Sequence, residues 1–347
     1  MSSELFIAGV ALGLGLLFYW GFRVLPRERW QFMAALPREQ LKDGSWQAVN
    51  LTYYGFFNTL AHMIALALLL ILTGAVGVSD DKLFMILLAL MAACLPASRL
   101  LAGLIEKKAH TFTVGGASFV GILLAPVVVW IVYRTIDRDI SIPWLPLLAA
   151  MAIAYAVGEG VGRLACISFG CCYGKPVASG TGSLQRLCRR YSFTFRGPTK
   201  KIAYEGGLDR QKVFPIQALT ATILTGAALA GMYLFFIGSY GLSFFLTISI
   251  TQLWRFFSET FRADYRGGGN LSAYQWMALL AVPYALAIGL FLPAAALPAD
   301  VTAGIQSLWH PLDILSLQLW GAAIFFYTGR SRVTGAHISF HLHSDRI

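Results

Sequence analysis

Apolar residues come in long runs along this chain, near 5–25, 53–78, 83–105, 113–134, 143–167, 215–238, 240–262, 272–296 and 312–329. A bilayer core about 30 Å thick takes roughly 20 residues of helix to cross, so each run predicts a membrane-spanning segment. The last run is the shortest. The first has neither a basic start nor a small-residue cleavage site, and reads as a retained helix rather than a signal sequence. The pattern predicts an all-α, polytopic integral membrane bundle of about 8–9 transmembrane helices, with no soluble catalytic module attached.

Composition supports that class and removes others. Hydrophobic residues make up 57% of the chain and charged residues 13%, the reverse of a soluble or disordered profile. The net charge of +10 is strung along the connections between spans. Arg23, Arg27, Arg29, Arg38 and Lys42 lie around the first connection, and nine lysines and arginines lie between Lys175 and Lys212. This placement argues against nucleic acid as a partner and for anionic lipid headgroups. Counted by the positive-inside rule, nine spans put the N-terminus outside and the 168–214 loop in the cytoplasm.

The few polar residues within the runs are the candidate chemistry, because a charge at membrane depth is costly and faces a cavity or a partner. Tyr53, Tyr54, Gly55, Asn58 and His62 open the second run, and Arg99 lies in the third. Gly115, Gly116 and Ser118 open the fourth. Glu159 and Arg163 share a helix face in the fifth, four residues apart with the acid first. Arg255, Glu259 and Arg262 again lie at helical spacing on one face in the seventh, before Asp264, Arg266 and a glycine run; Ser272 and Gln275 open the eighth. One reading is a set of ion pairs that hide charge inside the bundle. The other is an anion site, since arginines on three spans outnumber the two embedded acids and a lipid phosphate accepts bidentate arginine bonds.

Cys166, Cys171, Cys172 and Cys188 cluster in sequence near the end of the fifth run. They read as small residues packing a tight turn, as a disulfide, as a reactive thiol site at Cys166, Cys171 and Cys172, or as a four-thiolate metal site whose spacing lacks the usual C-x2-C pair. No metal or cofactor is assigned. His62 and His110 read as core or interface residues, and His337, His341 and His343 as part of a surface-lying tail.

Together these motifs resemble the bacterial prolipoprotein diacylglyceryl transferases, over roughly residues 50–296. The family signature, a Gly-Arg-x-Gly-Asn-Phe run ending in glycine, lines up with Gly162 to Gly174. Its Tyr-Gly matches Tyr54-Gly55, its second-span arginine Arg99, and its Gly-Gly-x-Ser-Phe start Gly115 to Phe119. Pro-x-Gln matches Pro215 and Gln217, Arg-x-x-x-Glu-x-x-Arg matches Arg255, Glu259 and Arg262, and Ser-x-x-Gln matches Ser272 and Gln275. The chain departs from the family at other positions. Thr52, Val120 and Phe214 stand where it has histidines, Cys166 and Cys171 replace an asparagine and an acid, and Leu219-Thr220 replace a tyrosine-glutamate pair.

The resemblance implies transfer of diacylglycerol from phosphatidylglycerol to a lipoprotein cysteine in the bacterial inner membrane. Arg163, Arg255 and Tyr54 are the expected catalytic residues. Arg99, Gly115, Gly116, Ser118, Gly174, Gln217, Glu259, Arg262 and Gln275 are the expected substrate-binding residues. The partners implied are phosphatidylglycerol and a lipoprotein precursor. The expected organisation is an additional helix and basic connection over 1–49, a transferase-like membrane domain over 50–296, and an extra helix and tail over 297–347. The family's site opens on the outer face of the membrane, opposite to the side the charge count gives for the 168–214 loop. Two further readings stay open: a non-catalytic lipid-binding or translocating relative, and a thiol redox or metal-linked membrane protein.

Overall fold

The computed structural model of the chain describes residues 1–107, 114–136, 142–177, 189–264, 270–293 and 298–347. His110, Cys188, Arg266 and the glycines at 267–269 lie outside the described residues. Long helices occupy every apolar run: α1 (Ser3–Val24), α2 (Tyr53–Ala75), α3 (Asp80–Glu106), α4 (Val114–Ile136), α5 (Trp144–Phe169), α7 (Ile216–Phe236), α8 (Tyr240–Ser258), α9 (Ala273–Phe291) and α11 (Pro311–Thr328). Short helices α6 (Lys201–Tyr204) and α10 (Val301–Leu308) lie between them. Among the described residues, seven helices are long and apolar enough to cross a membrane; α8 and α11 are not among these. In α8 the reason is visible. Ser243, Thr247, Ser249, Thr251, Gln252 and Arg255 are all buried, so its polar side chains turn inward.

The bundle is built around α5, the most enclosed of the candidate spans. Leu147, Leu148, Ala149, Ala150, Ile153, Ala156 and Val157 are inaccessible or nearly so. Small residues on this helix let α2, α7 and α8 approach closely, and those are its principal neighbours. Local capping sets where the helices begin. Ser2 accepts from Leu5 N at 3.3 Å to start α1, and Thr52 Oγ1 accepts from Gly55 N at 3.4 Å to start α2.

The sheets are additions to the expected all-helical bundle. Strands β1 (Phe32–Gln40), β2 (Trp46–Thr52) and β5 (Arg330–Ile338) form an antiparallel sheet in the order β1-β2-β5. Phe32 pairs with Thr52 and Gln40 with Trp46; across the other edge, Gln47 pairs with His337 and Leu51 with Arg330. The first part of the tail is therefore a strand. It joins the basic connection after α1, and β2 runs without a break across residue 49 into α2. A second pair, β3 (Phe193–Thr194) with β4 (Lys212–Val213), anchors the loop between α5 and α7.

The ends of α1, α5 and α8 and the starts of α2, α4, α7 and α9 gather at one end of the bundle. Lys200 is buried there, its Nζ donating to Ser168 O and, at 3.3 Å, to Leu25 O. A cation thus meets carbonyls at the C-terminal ends of α5 and α1, where the helix dipole favours it. Burial pulls its ammonium down to about 7, against the pull of the Glu28 carboxylate.

Candidate functional site

Glu159 is the hub. It lies on α5 one turn before Arg163, and the Arg163 guanidinium donates to its Oε1. Its other oxygen, Oε2, accepts from Arg255 on α8 and from the Tyr155 hydroxyl, the latter at 2.6 Å. Tyr155 in turn accepts from Arg255 Nη2 at 3.0 Å and from Gln252 Nε2 at 3.2 Å. The side chains of Arg163, Arg255 and Glu159 are only 12, 9 and 6% exposed, so one carboxylate faces two guanidiniums with little water to screen them. This local set carries one net positive charge.

Glu159, Arg163 and Arg255 line a narrow cleft that is open to solvent. Arg163, Arg255 and Arg262 share it with Gln217 and Cys172, and Ile216, Leu224 and Trp254 supply an apolar wall. Three buried polar atoms here have no hydrogen-bond partner among the described residues: Nε of Arg163, Nε of Arg255 and Oε1 of Gln217. Buried donors and acceptors are ordinarily satisfied. The cleft thus holds two spare guanidinium donors and one spare amide acceptor, a set suited to an anionic oxygen group that also carries a hydroxyl.

Arg262 is held differently. Its Nε donates to Asp264 Oδ1 at 2.8 Å and Nη2 to Oδ2, while Glu259 lies 3.6 Å from Nη1. Two acids therefore surround it. The surplus of cations expected from the sequence narrows to the Arg163–Arg255 pair. Arg262 also fixes the signature loop: its backbone pairs with Gly174, and Lys175 N and Tyr173 O bond to Phe261 and Ala263 on either side of it.

The other expected residues divide into those that shape the cleft and those outside it. Gly115 is buried at the start of α4, where a Cβ would stand 3.1 Å from Arg255 Nη1 and 3.1 Å from Tyr274. Gly116 is buried beside it, and Ser118 Oγ donates to Gly115 O at 3.0 Å. Gln217 Nε2 donates to Cys171 O at 3.0 Å, so the Pro-x-Gln motif holds the cysteine turn. Gln275 completes a capping box with Ser272 and donates to Phe256 O at 3.1 Å, joining α9 to α8. Tyr54 does not line the cleft; its ring meets Phe169 edge-on at 5.6 Å, beside the cysteines. Arg99 is not brought to the cleft either, and its Nη2 donates to Tyr327 on α11 at 2.7 Å.

The fifth helix ends in a glycine turn that gathers the thiols. Gly170 has φ +75°, a conformation glycine adopts without strain, and it bonds back to Cys166 O at 2.8 Å. Cys171 N reaches the same carbonyl at 3.1 Å. The turn brings Sγ of Cys166, Cys171 and Cys172 within 4.8 Å of one another. Hydrogen bonds from Cys166 and Cys171, together with the Arg262 and Arg163 guanidiniums, hold the Cys172 thiol well below the ordinary thiol range despite its burial. Cys171 is pushed up, chiefly by its bonds to Cys166 and Cys172.

The sequence model of the prolipoprotein diacylglyceryl transferases matches residues 45–291. The chain belongs to this family. It is accordingly a multi-pass membrane protein of a transferase family that acts on lipoprotein precursors and lipid donors. No curated protein matches the chain. The matched region begins one residue before β2 and ends with α9, so it contains the whole cleft. Tyr155 was missed in the sequence reading, although its signal was present. It lies one turn before Glu159, and Tyr155, Glu159 and Arg163 form an i, i+4, i+8 line on one face of α5.

Proposed function

We propose that this transferase moves the diacylglyceryl group of phosphatidylglycerol to the thiol of a lipoprotein cysteine, in the bacterial inner membrane. The observation that carries the reading is the Arg163–Glu159–Arg255 set, with net positive charge and two unsatisfied Nε donors in a cleft between α5, α7 and α8. Arg163 and Arg255 bind the phosphate and stabilise the charge that grows on it as it leaves. Gln217 Oε1 accepts from a hydroxyl of the glycerol headgroup, which favours phosphatidylglycerol over a lipid without that hydroxyl. Gly115 admits the Arg255 guanidinium, and Ser118 steadies the turn that carries Gly115.

The attacking group is the acceptor thiol, as thiolate. Its sulfur forms a bond to the glyceryl carbon while the carbon–oxygen bond to phosphate breaks, releasing glycerol phosphate. The test is transfer from labelled phosphatidylglycerol to a lipobox peptide by purified protein. Arg163→Gln and Arg255→Gln each reduce transfer at least about 100-fold, the effect of removing one charged stabiliser of a leaving anion. Full transfer by folded variants overturns the arginine mechanism. Lipid binding with no transfer by the parent protein supports the non-catalytic reading instead.

A further inference from the structure

The transfer reaction needs a thiolate, and among the described residues that line the cleft there is no histidine to make one. Both oxygens of Glu159 are occupied by arginines and Tyr155, and Glu259 faces Arg262. The same cleft contains Cys172, with Cys166 and Cys171 against it.

We propose that Cys166, Cys171 and Cys172 bind a thiophilic divalent cation of the zinc class, whose open fourth position takes the acceptor cysteine and holds it as thiolate. The inference rests on the transfer reaction proposed above. Three protein ligands and one open position form the usual catalytic arrangement of such an ion, and here the three are thiolates. With metal–sulfur bonds of about 2.3 Å, tetrahedral geometry separates the sulfurs by about 3.8 Å. Cys166 and Cys172 Sγ already lie 4.0 Å apart, and all three lie within 4.8 Å, so rotamer adjustments of under an ångström close the site. The turn holding them is fixed by Gly170 and by the Gln217 bond to Cys171 O.

Charge supports the placement. A divalent ion with three thiolates is an anion, and the acceptor thiolate makes it doubly so. Arg163 lines the same cleft, and with Arg255 it supplies the positive excess that faces this site. The nucleophile is thus generated beside the arginines assigned to the phosphate. On binding, the acceptor thiol releases its proton to solvent. Its sulfur then forms the bond to the glyceryl carbon as the carbon–oxygen bond breaks, and the electron pair leaves on the phosphate oxygen. The product thioether is a neutral, weaker ligand and vacates the fourth position.

The test uses the full chain, reduced and purified in detergent, with cobalt(II) as the probe. The expected result is one ion per chain and a sulfur-to-metal charge-transfer band. Cys166→Ser, Cys171→Ser and Cys172→Ser each weaken or abolish that band, and Cys94→Ser leaves it intact. A lipobox peptide with cysteine shifts the band, whereas its serine counterpart does not. In the transfer assay, chelator stripping lowers the rate by up to about 30-fold at pH 7, the ratio between a metal-held thiolate and a free thiol of pKa about 8.5. No band, or a band indifferent to the cysteine peptide, overturns the proposal, as does an unchanged rate in stripped protein. A peptide-responsive band without transfer from phosphatidylglycerol supports the metal site and overturns the donor assignment, so the two failures are distinct.

Discussion

Replacing Glu159 with glutamine tests the central electrostatic argument. The substitution keeps shape and removes charge from a carboxylate that is 6% exposed between guanidiniums 12 and 9% exposed. Breaking a buried ion pair by neutralising one partner typically costs about 3–5 kcal/mol, because the remaining charge stays buried without compensation. Here two guanidiniums are stranded, and each also repels the other, so the loss falls at the upper end of that range. The assay is reversible unfolding in zwitterionic detergent, with and without phosphatidylglycerol. Glu159→Gln is destabilised by about 4–5 kcal/mol without anionic lipid, and recovers more than the parent when it is added, since a phosphate then replaces the missing carboxylate. The double variant Glu159→Gln/Arg255→Gln is less destabilised than the sum of its parts, because its second change removes a stranded charge. The reasoning is refuted if Glu159→Gln unfolds within about 1 kcal/mol of the parent, or if anionic and zwitterionic lipids restore it equally.

Other consequences follow from single contacts. Gly115→Val places a side chain against Arg255 Nη1 and Tyr274, and displacing the guanidinium lowers transfer by about 10-fold or more while an unfolding curve shows the bundle still formed. Gln275→Ala removes half of the capping box and the bond to Phe256 O, costing about 1–2 kcal/mol by denaturant titration. Lys200 gives a pH signature. The folded chain releases its proton near 7, whereas the unfolded chain keeps it until about 10.5. The unfolded state therefore binds more protons between those values, and this residue's burden on stability is full below 7 and fades as pH rises to 10.5. Lys200→Met removes that contribution to the slope; an unchanged stability–pH curve between 7 and 10.5 counts against it.

The helices were legible because a membrane imposes a length and composition on each one, and runs such as 53–78 and 143–167 leave little choice. The β1-β2-β5 sheet was not. Its third strand, β5, lies almost the whole chain away from β1 and β2, many of the side chains are exposed, and no local period says that Gln47 will meet His337. At the site, the Glu159–Arg163 pair follows from spacing within one helix. Sharing of the same carboxylate with Arg255, 96 residues away, comes only from packing of α5 against α8. Asp264 was seen as a neighbour of Arg262 in sequence, but its chelating geometry depends on the turn after α8. Arg99 shows the limit of a motif position: nothing in its local sequence says that its guanidinium will donate to Tyr327 on α11, outside the cleft. The cysteine spacing looked poor for a metal because the glycine turn that folds Cys171 and Cys172 back on Cys166 has no conventional knuckle pattern.

The sheet between β2 and β5 also sets an order of assembly. Thr52, which caps α2, bonds through its backbone N and its hydroxyl to Gly329 O, at 2.9 and 3.0 Å. Some 280 residues separate the two, which at about 5–20 residues per second means roughly 14–56 s of synthesis. During that interval the mouth of α2, with Tyr54 and the cysteine turn beside it, lacks its final clasp. The entry to α2 is thereby timed: it reaches finished form only after α11 has been made, so an arrested chain ending before residue 329 is expected to show a protease-sensitive β2 that full-length protein protects.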